Sequence, residues 1–563
     1  MVVLAACATM TESTGRQPLG SDHIDAIAQL LRLEDTRTFD EPLLTRSLAS
    51  GHPEVRRRAV ITVGRVLNER GLAVLEPVKA DANPTIVATV AFAMGQLRDP
   101  SAVPWLAERM QEYRVDAEAA FEAARALGKI RSPEARAALA AFAAEAPDTP
   151  AVRPVVGEAM LSLGRFQTRE DLAPILRWTK SDDVEVRWRA AWALFRLRDP
   201  AAVPHLMTFT SDPSPDVRFW AVRGLVPALG DELGSETLTP TVASTRLVAL
   251  ADDADRRVRT EAIRVLAAYD DDASVARVLA ALDSDDTWIS VTAVETLGRH
   301  KDRIAQLSPR LAAAAAPSRP LALRMAALAP LSQLAPPLAL ETAGSLLTHS
   351  SDYAKLVAAQ ALRRMGPLGQ QRLDGAMEDP KLRELLTPAG RGGAAGRRGG
   401  AAAEAPAEPS VNYRAVVERW IVPAYNGAAR PRAVWMTSKG EIEIEFFAAD
   451  APLGMEELVR LTESGSIVGP VFSRVVPNFV AQQATIPGAN RLRDEVNRHG
   501  LTRANLAWAS SGLDTGRPGY TLGHTPQPHN EGDFTSLGRV VRGMDVVDRL
   551  ELGDSITAAR MVR

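Results

Sequence analysis

The chain carries a single cysteine, Cys7, among 563 residues, which excludes an intramolecular disulfide. Aromatic residues are 5% of the total, so helices here must pack mainly through Ala, Leu and Val. Neither sign of charge dominates: the net charge is −3, whereas a dedicated nucleic-acid binder carries a basic footprint. Nucleic acid is therefore not an expected partner. No run of about 18 apolar residues occurs, so no membrane-spanning helix is expected. What is present, 46% hydrophobic and 24% charged residues, is the balance of an ordinary globular protein.

The position of the lone cysteine is informative. "LAAC", Leu4 to Cys7, resembles a bacterial lipobox, in which the cysteine becomes the lipidated first residue. A complete signal adds a basic segment and an apolar stretch of about 7–15 residues. Here six residues precede Cys7, none of them Lys or Arg. Two readings stand: a lipid-anchored envelope or periplasmic protein with residues 1–23 as truncated signal and tether, or a cytoplasmic protein with an incidental thiol.

An internal repeat fills residues 24–385. "HPEVRRRAVITVGRV" from His52, "DDVEVRWRAAWALFRLRDPAAVPHL" from Asp182 and "DRRVRTEAIRVL" from Asp255 share one template: an acidic or Pro-containing turn, Val-Arg, then an Ala–Leu helix often ending in Gly. Steps such as Val55 to Ile86 and Val186 to Val217 are 31 residues. Asp or Pro starts each helix. Apolar residues at helical spacing, as at Val186, Ala190, Ala193 and Leu194, give a face that a second helix must cover. Pairs of this kind stack into a solenoid, and the pattern resembles HEAT repeats in their short bacterial form. Such solenoids present surfaces to proteins, so a protein partner is expected; a plain spacer is the other reading. The recurring Arg56, Arg187, Arg218 and Arg259 are expected to pair with acids of adjacent repeats. No His/Cys/Asp cluster at metal spacing and no Gly-rich phosphate loop stands out.

Residues 386–411, Gly/Ala/Pro-rich, read as a flexible linker, and 412–431 as a lead-in helix or strand. From Arg432 the period changes. "RAVWMTSKGEIEIEFF" alternates around Lys439-Gly440, a hairpin signal. "APLGMEELVRLTESG" is helical, with Met455, Leu458 and Leu461 on one side. "VFSRVVPNFV" reads as a strand.

Residues 432–563 resemble the cyclophilin-type peptidyl-prolyl cis-trans isomerases. "FSRVVPNFVAQ" resembles the active-site segment F-H-R-V-[IV]-P-x-F-x-x-Q, "RDEVNRHG" the bacterial R-D-E-[IV]-N, and "HTPQPH" and "LGRVVRGMDVVDRL" the final third. The resemblance implies a closed eight-stranded β-barrel with two helices, no cofactor, and proline-containing polypeptides as clients. It implies that Arg474 acts on the prolyl nitrogen and that Gln482 orients it. Phe479, Val480, Ala509, Thr521, His529 and Phe534 match substrate contacts. Positions 474, 480 and 482 share a face by the two-residue period of a strand. Phe479 falls on the other parity, so its role requires a local irregularity such as a bulge.

The sequence also departs from that pattern. The usual His before the arginine is Ser473, and the Gly-Gly-Asp after the glutamine is "QAT". The pattern G-S-Q-F-F-I becomes "RPGYTL", with Thr521 in place of the aromatic pocket floor and Gly519 in place of glutamine. Three functions are therefore weighed: a weak or altered isomerase assisting protein folding, a proline-peptide binder without useful turnover, and a scaffold.

Overall fold

The computed structural model describes residues 17–227, 239–386, 411–516 and 519–562. Cys7 and nearly all of the 386–411 segment lie outside the described residues.

Helices run from Ser21 to Leu386 in stacked layers. The cap signals act as read: Asn83, Asp183, Asp255 and Asp286 each accept a hydrogen bond from the backbone N–H two residues on, satisfying a donor that the helix leaves free. Successive barrel-facing helices, among them Pro53–Val66, Pro84–Leu97, Ala117–Ile130, Arg153–Phe166, Val184–Leu197 and Pro215–Arg223, pack on one another. Their apolar faces form one continuous core from Leu30 to Ala339.

The recurring arginines pair forward as expected. Arg56 meets Asp81 at 2.7 Å, Arg187 meets Asp212 at 2.8 Å, Arg218 meets Asp253 at 2.8 Å and Arg259 meets Asp286 at 3.8 Å. Each acid belongs to the turn before the next repeat, so the bridges fix the stacking register.

The recurring glycines divide. Gly224 and Gly298 cap the ends of their helices as expected, whereas Gly64, Gly95, Gly128 and Gly164 lie inside theirs, where the next repeat comes closest. A Cβ on Gly95 would stand 2.9 Å from the Ala126 Cα, and one on Gly128 2.2 Å from the Ser162 Oγ.

The C-terminal sheet has eight strands: β1 Arg432–Thr437, β2 Gly440–Phe446, β3 Phe472–Val476, β4 Val480–Gln483, β5 Asn505–Trp508, β6 Tyr520–Gly523, β7 Ser536–Arg542 and β8 Ile556–Val562. Their spatial order is β3-β4-β6-β5-β7-β2-β1-β8, antiparallel throughout. The helices Pro452–Glu463 and Met544–Val547 accompany it. Full closure is not reached. β3 and β8 meet through one isolated bridge, Val471–Ser555, rather than a ladder. Pro470, without an N–H, and Gly469, at φ +99°, turn the chain out of the extended conformation at this seam. The molecule holds a curled, half-closed barrel in place of the closed one expected.

"VFSRVVPNFV" is two strands, not one. Pro477 cannot donate to a ladder and Asn478 takes φ +64°, so the chain reverses between β3 and β4. The irregularity that Phe479 required is this turn.

Residues Tyr413–Tyr425 form a helix with one π turn. It packs on the first solenoid helix: Tyr413 donates to Asp35 at 2.7 Å and Arg414 pairs with Asp25. Val417 and Ile421 share a core with Ile27 and Leu31 of the solenoid and with Trp435 and Leu458 of the barrel. The solenoid lies along the barrel, and its basic side chains donate to barrel carbonyls: Arg65 to Asp450 (2.6 Å), Glu495 (3.1 Å) and Val496 (3.0 Å), Arg125 to Arg498 (3.0 Å), Arg165 to Pro528 (2.8 Å) and Arg264 to Pro477 (2.8 Å).

Candidate active site

The β3–β4 turn sets the site. Antiparallel pairing puts Arg474 opposite Gln482, Gln482 opposite Thr521, and Thr521 opposite Ala507. This row crosses four strands on one face. Arg474 is exposed. Its Nη1 donates to the Gln482 Oε1 at 3.3 Å, and its guanidinium carbon lies 5.2 Å from the Phe479 ring centre. Among the described residues Arg474 makes no ion pair.

Arg474, Phe479, Val480, Gln482, Ala509, Thr521 and Phe534 line one cavity of about 110 Å³, the volume of about four waters. That suits one small ring. Arg474 is the only ionised side chain lining it among the described residues. His529 is not among the residues lining the cavity; its ring lies 6.3 Å from that of Phe479 and nearly parallel to it. His529 keeps an exposed face, but the neighbouring groups that displace its water, then the charges of Arg196, Arg223 and Arg165 from the solenoid, push its pKa down to about 4.

The turn is held from several sides. The Phe479 carbonyl accepts from the His524 N–H at 3.0 Å and from the Gln527 amide at 3.2 Å. Asn478 donates to the Arg257 carbonyl at 2.8 Å and to Glu261 at 3.2 Å. The Ser473 carbonyl accepts from the Tyr353 hydroxyl at 2.9 Å. Thus the solenoid braces the segment carrying Arg474 and Phe479.

Asn505, Ala507, Gln527 and Asn530 also line the cavity and were not singled out from sequence. Ala507 could have been found by extending the cross-strand row to "LAWASS"; Gln527 and Asn530, on a loop, carry no period.

Two departures from the expected motif have one geometric cause. A Cβ at Gly519 would stand 2.7 Å from the Gln483 carbonyl oxygen and 3.1 Å from that of Ala484. The altered "QAT" segment occupies the room a side chain at 519 would need. Thr521, half-buried, donates its hydroxyl to the Ala507 carbonyl at 3.2 Å, which satisfies its polar atom without an aromatic floor.

Residues 433–563 match the family model for cyclophilin type peptidyl-prolyl cis-trans isomerase. A peptidyl-prolyl cis-trans isomerase of Synechococcus elongatus is 31% identical over 139 residues, 23% of this chain and 96% of its own length. The chain belongs to the cyclophilin-type isomerases. A Helicobacter pylori isomerase is 33% identical over 132 residues, covering 21% of this chain and 80% of that one. Isomerase B of Bacillus subtilis is 30% identical over 129 residues, covering 22% and 90%. HEAT-repeat models match overlapping windows spanning residues 40–226. The cyclophilin domain is thus fused to a protein-binding solenoid, and in this structure the protein bound along it is the cyclophilin domain itself.

Proposed function

We propose that this cyclophilin isomerises Xaa-Pro bonds of polypeptide clients, with Arg474 as the catalytic residue. A planar amide resists rotation by a barrier of about 18–20 kcal/mol. As it twists, the proline nitrogen becomes pyramidal and gains a lone pair. A guanidinium donating to that nitrogen stabilises the twisted state over both planar ones. Arg fits because it stays charged and its donor fork is rigid. Phe479, Val480, Ala509, Thr521 and Phe534 would hold the ring, with the His529 ring facing that of Phe479. No bond is made or broken, so the step requires no metal, nucleotide or general base.

The observation that carries this reading is the guanidinium itself: exposed at the cavity, held by Gln482 and Phe479, and not committed to a carboxylate. Turnover of a prolyl peptide by the full chain should be lost in Arg474→Ala. Equal rates would remove the enzymatic reading. Thr521 supports a second one, because replacing an aromatic floor forfeits roughly 1–3 kcal/mol of apolar contact. Peptide binding with no turnover would select it, leaving a protein that grips prolyl segments.

A role in protein folding follows if clients are unfolded chains. Placement in the cell envelope rests on "LAAC" alone; a mass measurement of the native N-terminus, with or without a lipid on Cys7, tests it. Among the described residues no helix is long and apolar enough to cross a membrane.

A further inference from the structure

One solenoid helix, Arg256–Leu266, meets the tip of the β3–β4 turn through Arg257, Glu261 and Arg264, whose spacing puts them on one helix face. The Arg257 carbonyl accepts from the Asn478 side-chain amide at 2.8 Å, and the Glu261 Oε2 accepts from the same nitrogen at 3.2 Å. Arg264 donates to the Pro477 carbonyl at 2.8 Å and also pairs with Glu261. Glu261 therefore reaches the turn twice, directly at Asn478 and through Arg264 at Pro477. It is 2% exposed, and Arg223, at 3.1 Å, holds it from the neighbouring helix.

Asn478 is 1% exposed and takes a left-handed φ of +64°, a conformation that a residue other than glycine keeps where its surroundings hold it. Its amide nitrogen gives both hydrogens to the solenoid. Turned the other way, the amide would set oxygen against oxygen at both places. Its backbone carbonyl accepts from the Thr525 hydroxyl at 2.7 Å. Asn478 does not line the proline cavity, but the next residue, Phe479, does. The Phe479 ring centre lies 5.2 Å from the Arg474 guanidinium carbon.

We propose that Glu261 is a positioning residue for the isomerisation: from the solenoid, through Asn478, it sets the turn that places Phe479 against Arg474 at the proline cavity. The proposal deepens the isomerase reading and rests on it. A shift of the turn moves the Phe479 ring and, with it, the guanidinium that packs on that ring. Misplacement by about 1 Å at a reacting centre costs up to about a hundredfold in rate. A carboxylate of one domain thus sets the catalytic group of the other, and the site is complete only with the solenoid seated on the barrel.

The test exchanges donor and acceptor across this contact in the full chain, assayed on a prolyl peptide well below the melting temperature of each variant. Asn478→Gly keeps the left-handed backbone and removes the anchor. Asn478→Asp keeps the size and sets oxygen against the Glu261 carboxylate. Each should lower kcat/KM about tenfold. Loss of folded protein lowers kcat alone, whereas a displaced Phe479 ring also raises KM, so KM should rise in both. Adding Glu261→Gln to Asn478→Asp puts a donor opposite an acceptor again and should recover about threefold. Glu261→Gln alone, whose amide oxygen still accepts from Asn478, should cost less than either Asn478 variant. Wild-type rates or an unchanged KM in both Asn478 variants, or a double variant no faster than Asn478→Asp, overturn the proposal. If wild type turns over no peptide, the isomerase reading fails instead. Kd values for the same peptide across the five proteins then decide the positioning role by the same order.

Discussion

Arg474 and Gln482 face each other across the β3–β4 ladder, Nη1 to Oε1 at 3.3 Å, although eight residues separate them in the chain. The amide oxygen fixes the guanidinium without neutralising it. Gln482→Ala should let Arg474 leave the cavity and lower kcat/KM about tenfold, about 1.4 kcal/mol of transition-state stabilisation. Gln482→Glu should do no better, since a carboxylate at that place would hold Arg474 in an ion pair. A prolyl-peptide assay on both variants checks this; full activity in Gln482→Glu would refute it.

Arg65 joins the two domains at a buried point. Its side chain is 2% exposed, pairs with Glu34 at 2.6 Å and gives its remaining donors to three barrel carbonyls. Arg65→Ala would leave Glu34 buried and unpaired, at a cost of about 3–5 kcal/mol. By contrast the Arg98–Asp533 pair is half exposed on both sides, and its removal should cost below about 1 kcal/mol. Thermal melts of the two variants should differ accordingly, and hydrogen exchange at residues 494–498 should rise only in Arg65→Ala.

The contrast between these arginines shows what the sequence could disclose. Arg56, Arg187, Arg218 and Arg259 recur at one place in the repeat, and an acid recurs in the turn before each following helix, so their pairing was legible. Arg65, Arg165 and Arg264 donate to backbone carbonyls, which leave no mark in a sequence, and the seating of the barrel along the solenoid was therefore invisible. Arg474, Phe479 and Gln482 were legible as a motif. Their geometry was not, because period two assumes an unbroken strand and Pro477-Asn478 reverses the chain. Gly64, Gly95, Gly128 and Gly164 misled for a similar reason, while Gly224 and Gly298 did not: a gap left for a neighbouring helix and a helix stop look alike in one dimension.

Gly128 illustrates that gap. A methyl there would meet the Ser162 Oγ at 2.2 Å and its Cα at 3.0 Å, so the helices Ala117–Ile130 and Arg153–Phe166 would have to separate. Gly128→Ala should destabilise by about 1–3 kcal/mol, with part of the loss restored by Ser162→Gly in the double variant. Gly375, in the helix Gly366–Ala376, has nothing within 4 Å of its would-be Cβ. Gly375→Ala should instead stabilise by up to about 1 kcal/mol. Denaturation midpoints for the four proteins check the prediction; a neutral Gly128→Ala would mean the repeats are more loosely stacked than this.

Lys129 is the interface group most out of keeping with its surroundings. It is buried against the loop at Gly532, its Nζ has no hydrogen-bond partner among the described residues, and the Phe92 ring centre is 5.6 Å away. Burial, opposed by Asp533 and reinforced by Arg165, Arg125 and Arg98, pushes its pKa down to about 7 from 10.5. Between those two values the unfolded chain holds the proton and the folded chain has released it. The unfolded state binds more protons there, so stability rises with pH across that window and levels off below about 7, where both states hold the proton. The whole effect is about 3–5 kcal/mol. Lys129→Met keeps the volume and removes the charge. Its melting temperature should exceed that of wild type at pH 7, and the difference should shrink steadily toward pH 10. Parallel curves for the two proteins would show that the lysine remains charged in the fold, with an acceptor that this interface does not reveal.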